Sequence, residues 1–484
     1  MKNYLSIDQG TTSSRAVVFS EDLNSISSHQ EEYDLSYPKD GWVELDPEDI
    51  LKTVKNSINN VLSNQSLEIE ACGITNQRET TIVWEKESGK VIYPGIVWQD
   101  RRTADICERM KEKGFEKEIK HKTGLVLDPY FSATKIKWIL DNTPGSLERA
   151  RKGDLLFGTV DSYLIYNLTE ERNHLTDATN ASRTMLYNIK EQSWDEDLLE
   201  MFSIPKEMLP EVCDCDAEYG TIVHGKRKIK INGVIGDQQS ALVGQRCFNN
   251  GQMKSTFGTG CFLMVNTKDQ IIDIDEGLLT TIGYKIQGEI SYAIEGSIYS
   301  CGNIVKWLRD KMKFFNKASD SEEMILEGKN AATGTMFLPA FNGLGAPYWD
   351  SSVRGGFYGI TQDTTSEDLV TAAFQSICFQ VLDIISILER YNIPTEELKV
   401  DGGMIANNVF CQLLSDSLGK KIISPKNIES TALGACIVAM IGSGSDLDFS
   451  MIEVEKSFVP KSENNILLGQ QYRDWKNYIE NSLT

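Results

Sequence analysis

Two stretches of the chain share one pattern of apolar and polar residues. Each has an apolar run, a polar link rich in glycine and hydroxyl groups, and a second apolar run, over Tyr4–Phe19 and Gln252–Val265. Apolar runs around a glycine-containing link predict β-hairpins. Each link offers several N–H and hydroxyl donors within one turn, which suits a phosphate, although a surface hairpin with a polar tip explains the first stretch equally well. One such hairpin in each half indicates duplicated halves that face one nucleotide.

Helical and strand-like patterns alternate through the rest of the chain. Asp46 before Pro47 predicts a capped helix start, and Thr365 with Asp368 predicts a capping box ahead of the longest helix. The apolar spacing predicts helices at 50–62, 133–140, 195–202, 238–245, 304–308, 369–388, 407–418 and 433–440, and strands at 71–74, 82–84, 155–157, 233–236, 291–294, 398–400 and 422–423. This alternation is typical of an α/β protein.

The length of the chain favours two domains. It has 484 residues, whereas single hydrophobic cores stop growing at about 250–300 residues. The turn-forming sequence Asn249-Asn250-Gly251 precedes the second hairpin. We therefore place the boundary there, with an N-terminal domain over 1–248 and a C-terminal domain over 249–484.

Charge and cysteine content narrow the functional class. The 49 basic and 70 acidic residues give a net charge of −21, which argues against nucleic acid and anionic membranes as partners. We identify no signal peptide and no apolar stretch long enough to span a membrane. The 10 scattered cysteines are typical of reduced thiols, so we expect a cytoplasmic protein. With only 4 histidines, acid–base chemistry falls to carboxylates.

Several polar residues follow predicted strands or stand beside an aromatic residue. Arg78 and Glu79 come after the strand at 71–74, and Trp98 stands next to a polar segment, as in sites that enclose a small polar ligand. Asp237 follows an apolar strand at a helix start, where a carboxylate is well placed for chemistry in a cleft. A solvated turn, core packing and a plain helix cap are the respective structural alternatives. Asp8 would repel a phosphate unless a divalent metal ion lay between them.

Seven motifs, in order, cover nearly the whole chain and resemble those of the FGGY carbohydrate kinase family, in particular its members that phosphorylate glycerol. They are Asp8–Val17 (DQGTTSSRAV), Gly73–Thr80 (GITNQRET), Pro94–Thr103 (PGIVWQDRRT), Gly236–Ser240 (GDQQS), Phe257–Phe262 (FGTGCF), Gly343–Asp350 (GLGAPYWD) and Val400–Asn408 (VDGGMIANN). The resemblance implies a two-domain actin-like, ribonuclease-H-like ATPase fold with a central cleft. It also implies ATP-dependent phosphorylation of glycerol to sn-glycerol 3-phosphate, with ATP and Mg²⁺ as cofactors.

The resemblance also implies a role for individual residues. Substrate would be bound by Arg78, Glu79, Trp98, Tyr130, Asp237, Gln238 and Phe262. The nucleotide would be bound by Thr11, Thr12, Ser13, Arg15, Thr259, Gly302, Lys306, Gly403 and Asn407, although Lys306 stands where the family often has an uncharged amide. Asp237 would be the catalytic base, and Asp8 with Asp237 would flank the metal ion. We expect glycerol and ATP as ligands, and a homodimer or homotetramer.

Two alternatives remain at this point. One is a related kinase for a pentulose, hexulose or tetritol, which would need more room than Trp98 and Phe262 should leave. The other is a non-catalytic actin-like ATP switch or filament protein, which would have no use for a small polar substrate site.

Overall fold

Six strands of the first half form a sheet around the first hairpin. The structure is a computed structural model that describes residues 2–63, 67–328, 334–341, 343–350, 352–425, 429–445 and 454–482. The strands lie in the order Gly220–His224, Arg227–Gly236, Ile69–Asn76, Asn3–Gln9, Ser13–Ser20 and Ser25–Glu32. Asn3–Gln9, Ile69–Asn76 and Arg227–Gly236 are parallel, and Gln9, Asn76 and Gly236 are aligned at their carboxyl ends. The residues that follow these strands therefore meet at one edge of the sheet.

A second sheet repeats this arrangement in the second half. Its strands lie in the order Leu279–Ile286, Glu289–Ile298, Cys261–Lys268, Met253–Phe257, Glu397–Asp401, Lys421–Pro425 and Val454–Phe458. In both sheets an antiparallel hairpin is followed by strands that pair in parallel with its first strand. Both predicted hairpins and the duplication of the halves are confirmed. The predicted boundary at residue 248 stays a prediction.

Helices cover the sheets, and short strand pairs complete the fold. The helices are Pro47–Val61, Ala104–Glu112, Glu116–Thr123, Ser132–Asn142, Ser146–Arg151, Val160–Leu168, Ala178–Ala181, Glu196–Phe202, Asp237–Gly244, Gly302–Asp310, Ser321–Glu327, Ser366–Arg390, Asn408–Leu418, Ser430–Gly442 and Ser462–Ser482. The short pairs are Glu44–Leu45 with Gly95–Ile96, Ile82–Glu85 with Leu155–Gly158, Leu175–Asp177 with Glu211–Cys213, Tyr187–Asn188 with Ser193–Trp194, and Met336–Leu338 with Gly356–Tyr358. All the helices and strands predicted above are present, with ends shifted by a few residues.

The Ser430–Gly442 helix belongs to the second half in sequence but packs against the first sheet. Its apolar residues share a buried cluster with Tyr4, Phe19 and Ile235 of that sheet. It also lies very close to the Asp237–Gly244 helix, because a Cβ added at Gly434 would be 1.8 Å from the Ser240 carbonyl oxygen. The position of the Asp237–Gly244 helix is therefore fixed by a segment almost 200 residues further along the chain.

The Ser366–Arg390 helix corrects the prediction that no apolar stretch is long enough to span a membrane, because it is the one described helix that is long and apolar enough to do so. However, 89% of its most apolar window is buried inside the protein. Its residues Phe374, Ile377 and Val381 lie in the main core of the second half. This burial is the behaviour of a core helix.

The capping box at the start of this helix supplies a stability prediction. The Thr365 hydroxyl accepts from the Asp368 backbone N–H at 3.3 Å, and the Asp368 carboxylate accepts from the Thr365 N–H at 3.0 Å. Thr365→Ala should lower the free energy of unfolding by about 1 kcal/mol, because one N–H donor at the helix start loses its partner. Thr365→Ser keeps the hydroxyl and is the matched control in a urea titration. Equal midpoints for the two variants would contradict the prediction.

Candidate active site

The edge where the parallel strands end opens into a cavity between the halves. The cavity measures about 370 Å³, and side chains of both hairpins line it. Its lining contains these predicted site residues: Thr11, Thr12, Arg78, Glu79, Trp98, Tyr130, Asp237, Gln238, Thr259, Phe262 and Lys306. The structure thus brings together residues that are up to 295 positions apart, from Thr11 to Lys306.

Asp237 is the first residue of its helix and reaches into this cavity. Its side chain is 26% exposed, and its Oδ1 accepts from the Gln238 N–H at 2.7 Å. Burial raises the pKa of Asp237, against the opposing charges of Arg78 and Lys254. A carboxylate with a raised pKa is a stronger base and is suited to accept a proton.

Gly236 gives Arg78 the room to approach Asp237. A Cβ added at Gly236 would lie 2.9 Å from the Arg78 Cδ atom. The Arg78 side chain crosses this glycine, and its Nε lies 3.2 Å from Asp237 Oδ1. The two side chains therefore form an ion pair, and that of Arg78 is almost fully buried.

Arg78 belongs to a buried cluster of two arginines and two glutamates. Its Nη1 and Nη2 donate to the two carboxylate oxygens of Glu295 at 2.6 and 3.0 Å. Arg183 donates from Nη2 to Glu295 at 3.0 Å and from Nε to Glu79 at 2.6 Å. All four side chains are at most 2% exposed, so the two positive and two negative charges balance out of contact with water.

Glu79 occupies a backbone conformation that few side chains adopt. Its φ angle is +60°, in the left-handed region, and such strain persists only where the surroundings enforce it. The Ser132 hydroxyl donates to the Glu79 carbonyl oxygen at 3.0 Å, and the Lys135 ammonium lies 3.5 Å away. Lys135 also donates to the Tyr130 carbonyl oxygen at 2.5 Å. This lysine therefore ties two of the predicted substrate-binding residues together.

Three aromatic rings form an apolar wall beside these charges. The Trp98 ring lies 5.6 Å from the Tyr130 ring and 6.0 Å from the Phe262 ring, each in an edge-to-face arrangement. Trp98 also donates from Nε1 to the Thr11 hydroxyl at 3.0 Å. The first two rings come from the first half and Phe262 from the second. A small molecule with a carbon chain and several hydroxyls fits between such a wall and the polar groups opposite.

A buried lysine fixes the orientation of Gln238. The Lys254 ammonium donates to Gln238 Oε1 at 2.5 Å and to the Thr256 hydroxyl at 3.0 Å. Because Gln238 Oε1 accepts from Lys254, the Gln238 Nε2 group is the part of the amide that can donate to a ligand. Burial lowers the pKa of Lys254, whereas the nearby charge of Asp401 opposes that shift.

A second, larger cavity of about 530 Å³ adjoins the first and is lined by the second half. It contains Thr259, Gly302, Lys306, Gly403 and Asn407, which are the five predicted nucleotide-binding residues of that half. Gly302 begins a helix directly against the second hairpin, where a Cβ would lie 2.4 Å from the Gly258 carbonyl oxygen. Gly403 has open space on its Cβ side, so a ligand can approach its backbone. The Asn407 side chain caps the Asn408–Leu418 helix.

The remaining predicted residues lie on the first hairpin but outside the described lining of the two cavities. The Ser13 hydroxyl accepts from Gln30, and Arg15 pairs with Gln30 and Glu429. Burial raises the pKa of Asp8 to about 6, and the charge of Asp237 adds to the shift. Their predicted roles stay predictions.

The pair Asp8 and Asp237 fits a magnesium ion in its chemistry. Among the residues that the structure describes, no group of three or more His, Cys, Asp or Glu side chains could hold a metal ion. Mg²⁺ needs no such group, since it is often bound by one or two carboxylates, substrate phosphates and water. The negative charge of Asp237 is one cause of the raised pKa of Asp8. A cation bound near both carboxylates would offset this repulsion and be stabilised there.

Sequence reasoning missed four buried charges around the cavity, namely Arg183, Glu295, Lys254 and Lys135. Glu295 directly follows the predicted strand at 291–294, and Lys254 lies within the second hairpin. A charged residue within an otherwise apolar element could have indicated such a buried charge, because an ionised side chain in a core needs partners. Arg183 stands in a polar segment and carries no such signal.

Comparisons with known proteins agree with this geometry. The model of the FGGY family of carbohydrate kinases matches with its N-terminal domain over residues 3–244 and with its C-terminal domain over residues 253–443. Glycerol kinase 1 of Pseudomonas aeruginosa is 47% identical over 489 residues, 99% of each chain. The glycerol kinase of Alteromonas mediterranea is 50% identical over 92% of this chain and 91% of its own. The crystal structure of Plasmodium falciparum glycerol kinase with ADP is 34% identical, with a TM-score of 0.91 over 100% of this chain and 99% of its own.

Proposed function

The chain belongs to the FGGY family of carbohydrate kinases, and from this membership we propose that it transfers the terminal phosphoryl group of ATP to glycerol, yielding sn-glycerol 3-phosphate. One observation carries the proposal. Asp237, Arg78 and Glu79 meet an aromatic wall in a cavity of about 370 Å³ that is continuous with both hairpins. Full-length relatives that are named glycerol kinases support it.

The polar groups of the cavity match the hydroxyls of a small triol. Arg78 and Gln238 supply donors, Glu79 supplies an acceptor, and Trp98, Tyr130 and Phe262 cover the carbon chain. Asp237 then accepts the proton of the terminal hydroxyl as that oxygen attacks phosphorus. Phosphoryl transfer depends mainly on positioning and on neutralising charge, since the transferred group is loosely bonded in the transition state.

The nucleotide occupies the adjoining cavity in this proposal. Thr259, Gly302, Lys306, Gly403 and Asn407 lie along it, and the donor-rich links with Thr11, Thr12, Ser13 and Arg15 face the phosphates. Asp8 and Asp237 would hold Mg²⁺, which would neutralise charge on the phosphate oxygens. Closure of the two halves excludes water that would otherwise attack ATP. A homodimer or homotetramer in the cytoplasm stays a prediction.

A coupled assay of ADP release tests the proposal. Glycerol, a tetritol, a pentulose and a hexulose are each added to enzyme, ATP and Mg²⁺, and glycerol is omitted in the control. We expect ADP release with glycerol to exceed that with each larger compound by at least about tenfold, because Trp98 and Phe262 limit the room. Preference for a ketose would favour a related sugar kinase. No stimulation by any of these compounds would favour a non-catalytic ATP switch.

A further inference from the structure

We propose that Arg183 and Glu295 are positioning residues of this kinase, which set the geometry of the substrate-binding Arg78 and Glu79 without touching the substrate. The inference rests on the proposed glycerol phosphorylation. Neither residue lines the described walls of the active-site cavity. Both act through the hydrogen bonds that they make to residues of that wall.

Glu295 determines which edge of the Arg78 guanidinium faces the catalytic carboxylate. Its two oxygens accept from Nη1 and Nη2 of Arg78 at 2.6 and 3.0 Å, and Gln239 Oε1 also accepts from Nη1 at 3.0 Å. With these groups engaged, Nε is the guanidinium nitrogen that comes nearest to Asp237, 3.2 Å from its Oδ1. Without Glu295, the guanidinium is free to form a two-pronged pair with Asp237, which would occupy the oxygens that must accept a proton.

Arg183 fixes the other wall residue, Glu79, and its positive charge favours the ionised form of that carboxyl. Its Nε donates to Glu79 Oε1 at 2.6 Å, while its Nη2 donates to Glu295 at 3.0 Å. Burial raises the pKa of Glu79, and the charge of Arg183 is the largest effect opposing this. An ionised Glu79 accepts hydrogen bonds from hydroxyl groups, whereas a protonated one offers a donor in their place.

The cluster of two arginines and two glutamates joins the two halves of the chain. Its members therefore do more than pack within one core. Glu295 lies on the Glu289–Ile298 strand of the second sheet, whereas Arg78 and Arg183 belong to the first half. Burial raises the pKa of Glu295, but the positive charges of Arg183 and Arg78 have the larger combined effect and lower that pKa to about 2. The anion from one half thus fixes two cations from the other at the floor of the cavity.

The primary test is Arg183→Lys, which keeps the charge and therefore the charge balance. A single ammonium lacks the forked guanidinium that reaches Glu79 and Glu295 together. We expect the KM for glycerol to rise by about tenfold or more, with little change in the KM for ATP or in melting temperature. Arg102→Lys is the matched control, because the Arg102 side chain is fully buried and also pairs with two carboxylates, Glu44 and Asp100, outside the cavity lining. The control should leave the KM for glycerol unchanged.

The charge-balanced double variant Arg183→Met with Glu295→Gln separates positioning from stability. Each single change leaves a buried charge uncompensated and should lower the melting temperature, whereas the double change restores neutrality. We expect the double variant to regain most of the melting temperature but not the glycerol KM or kcat. Joint recovery of stability and kinetics, or a normal glycerol KM in Arg183→Lys, would overturn the inference. Turnover of glycerol by the unaltered enzyme is measured first, and its absence would instead refute the proposed function.

Discussion

Asp237→Asn should lower kcat for glycerol phosphorylation by about a thousandfold, within the range expected when a general base is removed. The amide has nearly the same shape, and its oxygen can still accept from the Gln238 N–H, as Asp237 Oδ1 does at 2.7 Å. It cannot, however, take up the proton of the attacking hydroxyl. Steady-state kinetics with glycerol and a nucleotide-binding titration measure the two effects, and ATP binding should be retained.

The pH profile supplies a second readout for this variant. In the unaltered enzyme, kcat/KM should fall as pH is lowered through the pKa of Asp237, since only the ionised form is a base, and burial raises that pKa. The variant should lack this acidic limb. Asp195→Asn is the matched control, because Asp195 also accepts backbone N–H groups at a helix start but lies outside the cavity. Near-normal turnover by Asp237→Asn would remove Asp237 from the role of base.

Gly434→Ala should destabilise the protein by about 3 kcal/mol, because the added methyl group has no space. Its Cβ would lie 1.8 Å from the Ser240 carbonyl oxygen, which is backbone of the Asp237–Gly244 helix. Relief requires the two helices to separate, and this displaces Asp237 from Arg78. Urea unfolding should therefore show the loss of stability, and kinetics at a temperature where the variant is folded should show a reduced kcat.

Gly469→Ala is the matched control for this helix-packing prediction. Gly469 is also within a helix, Ser462–Ser482, but an added Cβ there meets no atom within 4 Å. This substitution should stabilise the protein by about 0.5–1 kcal/mol, since alanine is the better helix former. If both variants lost the same stability, the close contact at Gly434 would not be the cause.

Local sequence signals were sufficient for the elements that were predicted, but they did not reveal others, such as the Ala104–Glu112 and Ser462–Ser482 helices. The caps at Asp46 and Thr365 are present as predicted, because a helix cap depends on side chains only two or three residues away. The two hairpins likewise follow from apolar runs and turn residues that are adjacent in sequence. The position of the Ser430–Gly442 helix is different, because the glycines that permit its approach carry no information about which helix they will meet.

The site was predictable only as far as the motifs extended. The family resemblance identified Arg78 and Asp237, and the structure places their side chains 3.2 Å apart. The contact between Arg78 and Glu295 joins residues 217 positions apart, and no local pattern encodes such a pairing. The partners of a buried charge are set by the tertiary structure, so the sequence alone does not identify the supporting residues.

The Ser430–Gly442 helix is synthesised late, and this affects how the protein folds during translation. The ribosome completes all strands of the first sheet by Gly236, yet the helix that covers their inner apolar surface is translated almost 200 residues later. Until then Tyr4, Phe19 and Ile235 lack the neighbours that bury them. The nascent amino-terminal half must therefore wait, incompletely folded, for most of translation, and fragments truncated before residue 430 should bind chaperones and aggregate.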